Sequence, residues 1–86
     1  MAYELDVLPK AIKALAELDP SIAKRITDKL IWLSKNIEDL TPLPLSGNLA
    51  GLYKLYIGVY RAVYSINHNN KIVTVHKVGH RKDVYD

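Results

Sequence analysis

The stretch LYKLYIGVYRAVYSI, residues 52–66, decides the fold of this chain. Apolar and polar side chains alternate along it with the two-residue period of a half-buried strand, and a glycine at position 58 divides it. A glycine between two such runs is typical of a tight hairpin connection. The stretch therefore predicts two antiparallel strands, Leu52–Ile57 and Tyr60–Ile66, joined at Gly58-Val59.

The residues on either side of this hairpin predict its neighbours. Lys71–Val78 has the same two-residue period and predicts a third strand, which Gly79 ends. Before the hairpin, Pro42 and Pro44 exclude a helix, so residues 37–48 predict a segment without regular structure.

The N-terminal residues predict one more strand and a first helix. Tyr3–Val7 alternates as the hairpin strands do, and Pro9 ends the alternation. Proline suits the first turn of a helix, because the N–H that it lacks would have no intrahelical partner there. The three-residue spacing of the next apolar side chains predicts an amphipathic helix with Ile12, Leu15 and Leu18 in the core.

A second helix is predicted from Pro20 to about Asn36. Asp19 is a good N-cap residue, because its carboxylate can accept from the first unpaired N–H groups of the helix. Two helices joined this tightly form an antiparallel hairpin. The predicted core residues of this helix are Ile22, Ile26, Leu30, Trp32 and Leu33.

The elements follow one another as β-α-α-β-β-β, which indicates an α+β fold. The helix hairpin is expected to pack on one face of an antiparallel sheet. The other face, called the open face below, is left uncovered, and such a surface is a natural platform for RNA or single-stranded DNA. A chain of 86 residues is expected to form a single domain, 1–86.

The composition excludes several classes of protein. Cysteine is absent, which excludes disulfides and thiolate metal sites and suits the reducing cytoplasm. The N-terminus lacks the apolar run of a signal peptide, and no stretch is apolar enough to cross a membrane. The three histidines, at positions 68, 76 and 80, form no metal-binding motif, so we expect neither a metal nor another cofactor.

The net charge of +3 is unevenly distributed along the chain. Residues 1–50 carry six basic and seven acidic side chains, a balance of −1, whereas residues 51–86 carry six basic and two acidic ones, a balance of +4. A polyanion is therefore the first partner to consider, and the C-terminal half is where it would bind. The alternative is a solvated basic surface with no partner.

Strand periodicity gathers the basic side chains of this half. If the more apolar side chains face the helices, Lys54, Arg61 and Lys77 share the open face. The tail that follows the last strand is close enough to fold back over them. The candidate RNA-binding residues are Lys54, Arg61, Lys77, Arg81 and Lys82.

Such a cluster suits the cleavage of RNA by its own 2′-hydroxyl. This reaction needs a base for the 2′-OH, cations for the charge that builds on phosphorus, and an acid for the leaving 5′-oxygen. Most candidates also have an ordinary alternative: Lys54 as a solvated strand charge, Tyr85 packed on the sheet, and residues 80–82 as a charged tail. Arg61 is harder to explain in this way, because an arginine among the apolar residues of a strand needs a partner or a function. The candidate catalytic residues are Lys54, Arg61, His80, Arg81 and Tyr85.

Three segments, taken in order, resemble a known family. Residues 44–55 are similar to its L-x-G-x-L-x-G-L-Y-[KR]-L segment, residues 58–64 to its G-x-Y-R-[VLA]-[VIL]-Y strand, and residues 78–85 to its [VI]-G-H-R-[RK]-D-V-Y ending. These motifs are typical of the RelE/ParE superfamily of toxins from toxin–antitoxin modules, on the RelE side. The resemblance extends over the whole chain in length and in the order of the elements.

This resemblance implies a fold, an activity and partners. The implied fold is that of small microbial ribonucleases, and the implied activity is a ribosome-dependent endoribonuclease that cuts mRNA in the A site and stops translation. A cognate antitoxin is the implied protein partner. The implied roles are Tyr85 or Lys54 as the base, Arg61 and Lys54 on the phosphate, and Arg81 or His80 assisting the leaving oxygen.

The sequence departs from the family at one site position and leaves two other functions open. Some members carry a second lysine two residues after the first, where this chain has Tyr56. One alternative is a ParE-like toxin that binds a topoisomerase, but such proteins tend to lack the residues Arg61, Arg81 and Tyr85. The other alternative is a catalytically inactive homologue that acts only as a binding partner, which the tyrosine would favour.

Overall fold

The computed structural model describes residues 2–84, apart from the side chain of Asn48, and confirms the α+β class. A short 3-10 helix, Gly47–Leu49, stands between the second and third strands. The other elements, in chain order, are β1 (Glu4–Val7), α1 (Pro9–Ala16), α2 (Pro20–Asn36), β2 (Leu43–Pro44), β3 (Tyr53–Ile57), β4 (Tyr60–Asn67) and β5 (Ile72–His80).

Local sequence sets the ends of both helices. Pro9 and Pro20 each begin a helix, as expected of a residue that lacks the N–H group that a helix start leaves unpaired. The Asp19 side chain accepts from the Ser21 N–H at 3.3 Å and caps α2. The second helix therefore has the predicted bounds. Neither helix in the described part of the chain is long and apolar enough to span a membrane.

The five strands form one sheet in the order β1-β5-β4-β3-β2. Strands β2 to β5 pair antiparallel, but β1 pairs parallel with β5, so the prediction of a wholly antiparallel sheet is wrong for this pair. The reason is the long connection between the two strands, because a chain that crosses over the sheet through helices can return in the same direction.

Two segments extend the sheet beyond the prediction. The proline-rich segment before the hairpin contributes the short strand β2, in which Leu43 and Pro44 pair with Lys54 and Tyr53. Proline is tolerated there because β2 is an edge strand. The sequence predicted that Gly79 ends the last strand, but the strand continues to His80, which pairs with the start of β4.

A bulge in β5 changes which side chains reach the core. Tyr64 pairs with Val75 and Val63 with Lys77, which leaves His76 as the extra residue. An extra residue reverses the alternation of the strand beyond it. Val75 before the bulge and Val78 after it consequently lie in the same core.

The core lies between the helices and one face of the sheet. The predicted helix stripe is confirmed for Ile26, Leu30 and Leu33, all of which are buried. The largest fully buried side chains are Tyr64, Ile26, Leu30, Leu33, Val73 and Val75.

Two predicted core residues lie on the surface instead. Trp32 is 42% exposed, because two residues past the buried Leu30 a helix has turned by about 200°. Ile12 is 54% exposed, because the neighbouring Ala11 takes the position against the sheet and is fully buried. The spacing of apolar residues alone did not distinguish these neighbours.

Candidate functional site

Strand register places five side chains on the open face of the sheet. Lys54 pairs with Val63, which pairs with Lys77, and these three residues form one row across β3, β4 and β5. Tyr56 pairs with Arg61 in the adjacent row. Since paired residues point to the same side, the predicted gathering of Lys54, Arg61 and Lys77 on this face is confirmed.

Tyr56 lies between two of the cations. Its ring centroid is 4.1 Å from the Arg61 guanidinium carbon and 5.5 Å from the Lys54 ammonium. Both distances fall within the range of cation–π attraction. The tyrosine that replaces a second lysine therefore removes one charge but holds the other two close together.

Arg61 is also fixed by the hairpin turn at the end of its strand. Its Nη1 donates to the Gly58 carbonyl at 2.6 Å and to the Tyr60 carbonyl at 2.8 Å. Because both bonds use Nη1, the side of the guanidinium that carries Nε and Nη2 is the one that can meet a phosphate. Such a pre-positioned fork loses less side-chain entropy when a ligand binds.

The segment after β5 returns to the sheet, as the sequence indicated. The Arg81 backbone N–H donates to the Val59 carbonyl at 2.8 Å, and the Val84 N–H donates to the His80 carbonyl at 3.1 Å. Val84 is buried, and a Cβ built on Gly79 would lie 3.8 Å from the Val84 Cβ. The exposed Arg81 is thus tethered to the same hairpin turn that holds the Arg61 guanidinium.

The structure does not bring His80 to the cations of the open face. His80 pairs with Tyr60, and its ring meets the Tyr60 ring edge-on at 5.8 Å, on the face that the helices cover. Its Nδ1 accepts from the Lys82 backbone N–H at 3.2 Å, while Lys82 itself is exposed in the turn. Tyr85, the remaining candidate, lies outside the described residues.

Sequence reasoning missed one cation beside this turn. A Cβ built on Gly58 would lie 3.1 Å from Nη2 of Arg25, so α2 brings a second guanidinium to the opposite side of the turn from Arg61. Gly58 has a φ of +61°, which allows the tight turn between the two arginines. No local pattern signals this contact, because it depends on how α2 packs against the hairpin.

A histidine and a serine pair farther along the open face. Ser65 Oγ and His76 Nε2 are 2.7 Å apart, and His76 is the extra residue of the bulge. Ser65 lies four residues beyond Arg61 on β4, and His76 directly precedes Lys77 on β5, so the pair lies beside the row of Lys54 and Lys77 and away from the Arg61 end of the face. Among residues 2–84 no group of three His, Asp or Glu side chains could hold a metal ion.

Comparison with known proteins places this geometry in a family. The family model described as "ParE toxin of type II toxin-antitoxin system, parDE" matches residues 5–85. No curated protein matches the chain.

Solved structures give the same result at the level of the fold. The RelBE2 toxin–antitoxin complex of Mycobacterium tuberculosis contains a chain that matches with a TM-score of 0.86 and 27% identity, over 96% of this chain and 95% of that one. An arginine-to-alanine variant of the free Escherichia coli toxin RelE matches with a TM-score of 0.77 and 26% identity, over 95% and 86%. The archaeal RelE–RelB complex of Pyrococcus horikoshii gives 0.75 and 26%, over 98% and 100%.

The sequence motifs, the five-stranded fold and both comparisons agree. The chain belongs to the ParE toxin family of type II toxin–antitoxin systems, within the RelE/ParE superfamily.

Proposed function

We propose that this toxin is a ribosome-dependent endoribonuclease that cleaves mRNA in the A site. The observation that carries the proposal is the cation cluster of the open face, in which Lys54 and Arg61 flank one tyrosine ring and Arg81 is tethered to the same turn. Three cations at one end of a sheet suit a phosphodiester whose negative charge increases during reaction. The likeness to structures of RelE toxins agrees with the RelE-like sequence motifs, whose resemblance implies this activity.

The proposed reaction uses the RNA's own 2′-hydroxyl as the nucleophile. The 2′-oxygen bonds to phosphorus as its proton passes to a base, which is the phenolate of Tyr85 or, instead of its contact with the phosphate, Lys54 in its neutral form. The bond from phosphorus to the 5′-oxygen then breaks, and the leaving oxygen takes a proton. The products are a 2′,3′-cyclic phosphate and a free 5′-hydroxyl, so atoms and charges balance without a metal or another cofactor.

The geometry favours Arg81 over His80 beside the leaving oxygen. The Arg81 backbone is bonded to the turn that also holds Arg61, whereas the His80 ring packs on Tyr60 on the opposite face. Lys54 and Arg61 would hold the two non-bridging oxygens of the phosphate. Lys77, at the other end of the row that begins with Lys54, and Lys82, in the turn, would contact neighbouring phosphates.

The ribosome would supply the positioning that this small site lacks. Holding the 2′-OH in line with the scissile bond is worth several orders of magnitude in rate, and a shallow open sheet cannot impose that geometry alone. A cognate antitoxin would block the same surface, since similar structures are toxin–antitoxin complexes. The toxin would act in the cytoplasm, where ribosomes translate.

The test is cleavage by the purified toxin of a defined mRNA, with and without ribosomes paused at a known codon. We expect cuts in the A-site codon that depend on ribosomes and leave a 2′,3′-cyclic phosphate end. Cuts that appear equally on naked RNA would contradict ribosome dependence, and the absence of any cut would contradict the nuclease.

One observation favours a second function, the binding of a topoisomerase. The matching family model describes ParE toxins rather than RelE toxins. Inhibition of gyrase supercoiling by the purified toxin, without RNA cleavage, would establish this function instead. If neither assay gave a signal while the toxin still bound ribosomes, the chain would be an inactive homologue that acts as a binding partner.

A further inference from the structure

A groove runs between helix α2 and strand β3, beside the cation cluster. Two adjoining cavities of about 450 and 260 Å³ form it and share Lys29, Trp32 and Tyr56 as lining residues. We call it the α2–β3 groove and define it by Arg25, Asp28, Lys29, Trp32, Leu43 and Tyr56.

Two aromatic side chains are accessible in this groove. Trp32 is 42% exposed and Tyr56 is 48% exposed, although both are residue types that a small domain normally buries against its core. The Lys29 ammonium lies 3.9 Å from the Trp32 ring centroid, so the indole is held in place by a cation–π contact. Exposed aromatic rings beside cations are the usual platform on which proteins stack the bases of single-stranded RNA.

The charge of the groove is complementary to a phosphate. Arg25 and Lys29 line it on the helix side, one turn apart. The acidic side chain that also lines it, Asp28, accepts from Lys24 at 2.9 Å and is thereby partly neutralised. A single strand that entered the groove could place a base against an aromatic ring and a phosphate between two cations.

The groove is continuous with the candidate cleavage site. Tyr56 is a lining residue of both cavities, and its ring contacts Arg61 and Lys54 on the open face. At Gly58, Arg25 stands on the groove side of the turn and Arg61 on the open side. A path for RNA therefore leads from the scissile phosphate over the sheet edge to α2.

We propose that the α2–β3 groove binds a nucleotide of the RNA substrate next to the cleavage site. Its base packs on Trp32 and Tyr56, and its phosphate lies on Arg25 and Lys29. This inference rests on the proposed nuclease function, since it assigns a subsite of that reaction. The two cations Arg25 and Lys29 beside the aromatic residues favour a nucleotide, which carries both a phosphate and a base, over a purely apolar occupant.

Trp32 itself provides the measurement, because it is the chain's single tryptophan. The full toxin is titrated with a short single-stranded oligoribonucleotide, and Trp32 fluorescence is followed at several salt concentrations. We expect quenching that saturates and weakens with salt. In Arg25→Ala/Lys29→Ala the slope of log affinity against log salt should become shallower by about 0.7, because the two cations hold one phosphate. Lys35→Ala, which removes one charge at the far end of α2, should leave the slope unchanged.

Each outcome separates this inference from the nuclease function. If the toxin cleaves RNA on ribosomes but RNA does not quench Trp32, the inference about the groove is wrong and the nuclease proposal stands. The same conclusion follows if the double variant cleaves and binds RNA as the unaltered toxin does. Quenching without cleavage would support the groove and contradict the nuclease. Quenching by the antitoxin and not by RNA would overturn the inference in favour of a protein-binding groove.

Discussion

The two faces of the sheet differ in composition and in role. On the helix face, Ala62, Tyr64 and Val73 are fully or almost fully buried, and their burial stabilises the fold. On the open face, the same sheet carries Lys54 on β3 and Arg61 on β4, which an ordinary core could not accommodate. Successive residues of a strand thus contribute alternately to stability and to function. A substitution on the helix face should therefore lower stability, and one on the open face should lower activity.

The largest expected effect is on the helix face. Leu30→Ala removes a fully buried side chain from α2 and should lower the free energy of unfolding by about 2–5 kcal/mol. Urea denaturation measures it, with Lys35→Ala as an exposed control on the same helix. A loss below about 1 kcal/mol would show that α2 does not bury this face.

The next largest effect concerns the open face and the substitution Arg81→Ala. It should lower the cleavage rate on ribosomes by about 10²–10³-fold, the usual result of removing one donor to a transition state. Stability should barely change, because the bond to Val59 uses the backbone N–H, which alanine keeps.

Lys82→Ala, in the same turn, is the control for this variant. It removes an exposed charge and should weaken substrate binding while changing kcat little. A comparable loss of folding stability in Arg81→Ala would contradict a catalytic role for that residue.

A smaller effect on stability should appear at high pH. Burial raises the pKa of Tyr64 from 10.0 to about 12, and the electrostatic interaction with Tyr53 contributes to the increase. Since the phenolate forms at a lower pH in the unfolded chain, this stabilisation is complete below pH 10 and is lost as the pH rises towards 12. The loss should reach about 3 kcal/mol, at about 1.4 kcal/mol for each pKa unit.

Comparison of Tyr64→Phe with the unaltered chain isolates this contribution. The variant lacks the titrating phenol, so its free energy of unfolding should fall less between pH 10 and pH 12. Identical pH profiles for the two proteins would contradict the raised pKa.

The smallest effect concerns the turn that joins the two faces. Gly58→Ala puts a side chain at a φ of +61° and about 3.1 Å from Arg25, so it should cost about 1–2 kcal/mol and displace the arginine. Gly47→Ala has a similar φ of +70° but no atom within 4 Å of the new Cβ. Thermal unfolding should show a larger loss for Gly58→Ala, and equal losses would contradict a close Arg25 contact.

Local sequence signals predicted most of the fold. Proline and aspartate at the start of α2 gave its first residue, and the alternation around Gly58 gave the hairpin, because these signals act over a few residues. The parallel pairing of β1 and the bulge at His76 were missed, since both depend on which distant strand lies alongside.

The candidate site was also predictable only where it depends on local sequence. Strand parity placed Lys54 and Arg61 on one face without any tertiary information, whereas Lys77 reaches that face only because the bulge at His76 reverses the alternation after Val75. The alternation did not place His80 on the opposite face from these cations. The sequence predicted that β5 ends at Gly79, so the His80 side chain was assigned to neither face. Arg25 and the exposed Trp32 were not predicted, since their positions follow from the packing of α2 on the hairpin.

The central claim is that the open-face cations cut mRNA on the ribosome, and toeprinting tests it most directly. The toxin and its Arg61→Ala/Arg81→Ala variant are added to ribosomes programmed with a defined codon in the A site. We expect an A-site cut with the unaltered toxin and none with the variant, although both are folded and bind ribosomes equally. A cut of equal strength with the double variant would contradict the claim.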